Sequence, residues 1–133
     1  MAARNFINGI KTLDREIVML FGVVTFDTAS IASQSSVGFT VTRTDVGKFT
    51  ITLTDAYNQL LGCAFTWFSA TPASTDPLLT PIMVTETVAT AATKTITFET
   101  WDAESPAATE PITGDKLFIQ ITLRNSATSR LGT

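Results

Sequence analysis

The sequence predicts an all-β protein, a single-domain antiparallel β-sandwich or jelly-roll-like barrel of about seven strands preceded by a short N-terminal arm or helix. Three observations carry this. First, 25 of the 133 residues are threonine, and valine, isoleucine and phenylalanine supply most of the remaining bulk, the β-branched and aromatic bias that suits a pleated, half-buried surface. Second, apolar residues alternate with polar ones in four places: Phe39/Val41, Phe49/Ile51/Leu53, Ile96/Phe98 and Leu117/Ile119/Ile121/Leu123. A period of two marks strands with one wet and one packed face. Third, breaks rich in proline, glycine and serine recur between these runs, as they do between the short strands of sandwiches and barrels.

Taken in order, residues 1–15 form the arm, 16–126 the β-domain and 127–133 a small, polar, loose tail. Within the arm, Phe6, Ile7, Ile10 and Leu13 recur at spacings of three and four, which predicts a short amphipathic helix starting near Asn5. Such a helix is too short to hold alone in water and needs a surface to lie on. Ile17 to Phe26 reads as a strand buried on both faces. Its apolar core is too short to span a membrane, and Asp14 and Glu16 stand where a secretory signal would be basic.

The hairpin is the clearest local feature. Val37 to Thr44 and Lys48 to Thr54 flank Asp45-Val46-Gly47, with a glycine placed for positive φ. Gly62 to Phe68 is the next strand, Pro81 to Val88 another, and the runs around Ile96 and Leu117 complete seven. Between the hairpin and Gly62, Asp55 to Leu61 predicts one helical turn capped by Thr54 or Asp55. The Ser/Ala-rich stretch Thr28 to Ser36, residues 70–81 and residues 103–115 are read as connections.

Composition also limits function. Charged residues make up 16% of the chain, against about 25% in an average soluble domain, so the surface has few charges and is expected to be covered in an assembly. Nine Lys and Arg residues and a net charge of −3 provide no basic stripe for phosphates, and nucleic acid is not an expected partner. With no histidine, a Ser-His-Asp or Cys-His pair cannot be built and the commonest metal ligand is missing. Neither GxGxxG nor a P-loop occurs, so no nucleotide, cofactor or small-molecule substrate is expected. The carboxylate pairs Asp14/Glu16, Asp102/Glu104 and Glu110/Asp115 read as loop charge, and the single cysteine, Cys63, as a small core hydrophobe. These readings point away from an enzyme.

The run VGFTVTRTDVGKFTITLTDAY, from Val37 to Tyr57, together with GCAFTW from Gly62 and GDKLFIQITLRNS from Gly114, resembles the β-domain of tailed-bacteriophage virion proteins. These include head decoration, or cement, proteins and the β-domains of tail fibres. The features shared are the arginine-bearing strand at Arg43, the glycine turn at Gly47, the aromatic-led strand Phe49 to Leu53 and a last strand ending in small polar residues. The resemblance spans residues 37–126 and implies a homotrimer, or else a dimer, on the outside of an icosahedral head. There it would tie major capsid protein subunits together, assembled in the host cytoplasm and lodged in the virion, with no catalytic residue and no membrane partner. Met1 to Ser36 does not follow a fibre domain, which favours the head over the tail. Phe6, Ile7, Ile10 and Leu13 are the expected partner-binding residues, either on the capsid or against the protein's own barrel. The alternatives are a tail-fibre or baseplate β-module, and a carbohydrate-binding module or adhesin reading sugar through Trp67 or Trp101.

Overall fold

The structure is a computed structural model, and it describes residues 17–70, 79–102, 104 and 107–124. The arm with Phe6, Ile7, Ile10 and Leu13, and the tail 127–133, lie outside the described residues. Eight strands form: β1 (Ile17–Asp27), β2 (Ser30–Ser36), β3 (Phe39–Asp45), β4 (Lys48–Leu53), β5 (Gln59–Phe68), β6 (Leu79–Glu86), β7 (Thr95–Asp102) and β8 (Lys116–Arg124). They make two antiparallel four-stranded sheets, ordered β2-β1-β8-β5 in sheet A and β3-β4-β7-β6 in sheet B. The two sheets pack on each other as a β-sandwich, as the alternation predicts.

The four alternating runs all turn their apolar set into the space between the sheets. Phe39, Val41, Phe49, Ile51, Leu53, Ile96, Phe98, Leu117, Ile119, Ile121 and Leu123 are buried, joined by Leu20, Val24 and Phe26 of β1. Aromatic rings stitch the layers together. Trp67 of β5 stacks on Phe26 of β1 at 5.5 Å, Phe26 meets Phe49 of β4 at 5.1 Å, and Phe98 of β7 meets Phe65 of β5 at 5.1 Å. Offset and tilted pairs at these distances favour the fold beyond the area they bury. Gly22 sits beneath this layer, where a Cβ would lie 2.5 Å from the Phe39 ring, so glycine lets the β3 phenylalanine close over β1.

Three expectations need correction. An eighth strand, β2, occupies the stretch read as a connection, because its sequence SIASQSS lacks apolar alternation and its side chains are mostly exposed. It is held by backbone pairing with β1 from Gly22 to Asp27 and by Gln34. That amide accepts from Val41 N at 2.8 Å and donates to Val41 O at 2.9 Å, occupying both backbone polar groups of Val41 at this edge. No helical turn forms at Asp55 to Leu61; the chain bends at Thr54–Asp55 and is already in β5 by Gln59. Nor is β1 buried on both faces: Leu20, Gly22, Val24 and Phe26 point inward, while Phe21 is 53% exposed.

Sheet B is fastened at one end by the loop between β7 and β8. Glu110 receives Arg43 Nε at 2.9 Å and Gly47 N at 2.7 Å, and pairs with Arg43 Nη2 at 2.9 Å. Thr100 N donates to Gly47 O at 2.8 Å, and Thr109 N to Thr100 O at 2.8 Å. A buried carboxylate, Asp115, takes Ala70 N at 3.0 Å and Ile112 N at 3.1 Å.

Gly47 has φ of 63°, and a Cβ there would lie 2.6 Å from Thr109 N. Gly47→Ala therefore combines left-handed strain with a backbone clash and is expected to cost about 2 kcal/mol or more. Gly62→Ala meets nothing within 4 Å and should stay within about 0.5 kcal/mol. Urea unfolding of both variants checks this; equal midpoints would show that the loop yields freely.

Candidate interaction surface

Once β1 and β8 have filled the core with one set of side chains, the pleat turns the other set outward. On the outer face of sheet A these include Met19, Phe21 and Val23 from β1, Phe118 from β8 and Phe68 from β5. The register lines them up in rows across the sheet: Ser35–Val23–Phe118–Thr66, and next to it Phe21–Gln120–Ala64. In these two rows large rings project from the two central strands, with serine, alanine and threonine on the flanking ones, while Phe68 of β5 stands one row further along, opposite Lys116. Phe118 is 42% and Phe68 48% exposed. A hollow of about 350 Å³ opens between these side chains, bounded by Phe21, Val23, Ser35, Ala64, Thr66 and Phe118.

Three phenylalanines left half in water on one face are costly. Full burial of such a side chain contributes about 1.5–3 kcal/mol, so covering the exposed halves of Phe21 and Phe118 gains roughly 1 kcal/mol each. Phe68 already has a neighbour, the Lys116 ammonium 5.7 Å from its ring centre, a cation–π geometry.

The outer face of sheet B is richer in hydroxyls, beside Ile82, which is 44% exposed, and the half-buried Trp101. Here the register aligns Thr42, Thr50, Thr97 and Thr85 in one row across all four strands, and Thr40, Thr52 and Thr95 in the next. Thr87 extends the second row through a 3.0 Å hydroxyl contact with Thr95. Several hydroxyls bond to the sheet's own backbone, as Thr42 Oγ1 does to Thr50 O and Thr87 Oγ1 to Thr95 O. Cross-strand threonine pairs stabilise a sheet while leaving a wettable surface. The exposed rings of sheet A thus face away from a sheet B surface that mixes threonine rows with the exposed Ile82, Met83 and Val84 of β6.

The residues considered for chemistry are placed as follows. Glu110 and Asp115 hold the β7–β8 loop by the bonds given above, and Asp102 accepts Glu104 N at 2.9 Å; Asp14 and Glu16 lie outside the described residues. Asp27 accepts the Thr113 hydroxyl at 2.6 Å and Thr28 N at 2.8 Å, and these bonds hold its carboxyl below the usual range. No cluster of three Cys, Asp or Glu side chains suited to a metal occurs among the described residues. No described helix is long and apolar enough to cross a membrane.

Trp67 and Phe68 fall on opposite faces of β5, as alternation requires. Trp67 is turned into the core against Phe26, and its Nε1 has no hydrogen-bond partner among the described residues. Trp101 stands on the other sheet with Nε1 bonded to Glu99 at 2.8 Å. The two tryptophans considered as sugar readers thus lie on different sheets. The outer face of sheet A was not read from sequence: IVMLFGVV is apolar at every position, which resembles double burial until the partner layer is known to exist on one side only.

In comparison with protein-family models, curated proteins and solved structures, nothing matches this chain.

Cys63 lies on the inner side of β5 and packs against the core, and burial pushes its thiol up to about 12. Because this exceeds the free-thiol value of about 8.5, the contribution to stability is complete below that value and is lost as pH rises toward 12. Native protein at pH 8 should leave Cys63 unalkylated by iodoacetamide, while protein in urea reacts fully. Rapid labelling of the native form would place the thiol outside the core.

Proposed function

We propose that the protein is a structural, non-catalytic component of a tailed-phage virion. In this reading it sits on the outer surface of the capsid as a homotrimer and stabilises contacts between major capsid protein subunits. The observation that carries the reading is the outer face of sheet A, where Phe21, Phe68 and Phe118 stand half exposed on one sheet. A protein living alone in water gains nothing from three half-exposed phenylalanines on one sheet; one that is covered on that side and wet on the other gains from both surfaces. The resemblance of residues 37–126 to virion β-domains supplies the setting.

Repetition on a symmetric shell supports the same reading energetically. Each copy needs only modest affinity, because a trimer engaging equivalent sites binds through its combined contacts. The apolar face of sheet A and the arm residues Phe6, Ile7, Ile10 and Leu13 together supply the adhesive surface. The low charge content keeps few ions to desolvate when they are covered.

Co-sedimentation with capsids lacking the protein tests this. The wild-type chain should pellet with the shells, and Phe21→Ser/Phe118→Ser should weaken binding at least tenfold while its far-ultraviolet spectrum and thermal midpoint stay close to wild type. Wild-type protein that remains in the supernatant, or a double variant that binds equally well, would contradict the proposal.

A further inference from the structure

We draw no further inference here: the strongest candidate, the hollow between Phe21 and Phe118 on the outer face of sheet A, belongs to the surface already described, and nothing in the structure shows what covers it.

Discussion

Everything distinctive about this protein follows from the pleat of β1 and β8, the two central strands of sheet A. A strand has two faces, and a sandwich of two layers provides cover for only one of them. β1 and β8 spend Leu20, Val24, Phe26, Leu117, Ile119, Ile121 and Leu123 on the shared core, yet their alternate positions hold Met19, Phe21, Val23 and Phe118. No shift of register relieves this, because moving either strand by one residue would withdraw the buried set from the core. The apolar outer face is therefore a consequence of how the two strands are written, and it remains until another surface meets it.

The rest of the fold is tied together by polar contacts away from that face. At the β2 edge, the Gln34 amide takes the place of a neighbouring strand for Val41 of β3, so backbone groups that would recruit a stray strand are occupied. At one end of sheet B, Glu110 ties Arg43 and the Gly47 turn to the β7–β8 loop. Asp115, 2% exposed, anchors the same loop near its entry to β8. A buried carboxylate is tolerable only with such hydrogen bonds. The threonine rows give much of sheet B a surface that water can cover, beside the exposed Ile82, Met83 and Val84 of β6.

Much of this was legible in the amino-acid sequence, and where legibility stopped is physically instructive. The β3–β4 hairpin was readable because alternation and a turn glycine agree. The core sides of β7 and β8 were readable because threonine, lysine and glutamine interrupt the apolar residues. β2 escaped because a strand held by backbone pairing and one glutamine amide needs no apolar alternation. Asp55 to Leu61 suggested a helical turn from local capping chemistry, but the pairing of Gln59 and Leu60 with β8 overrides a propensity worth only tenths of a kcal/mol per residue. The apolar outer face of sheet A was hidden in a run where every residue is apolar, since such a run does not say which side a second layer covers. The arm stripe of Phe6, Ile7, Ile10 and Leu13 lies outside the described residues.

The central claim is that the outer face of sheet A is an assembly surface, and the mass of the protein in solution tests it most directly. Sedimentation equilibrium at micromolar concentration should give the wild-type chain a mass several times its 14.3 kDa, and give Phe21→Ser/Phe118→Ser, folded and equally soluble, the mass of one chain. A wild-type protein that sediments as a single chain at every concentration would contradict the account.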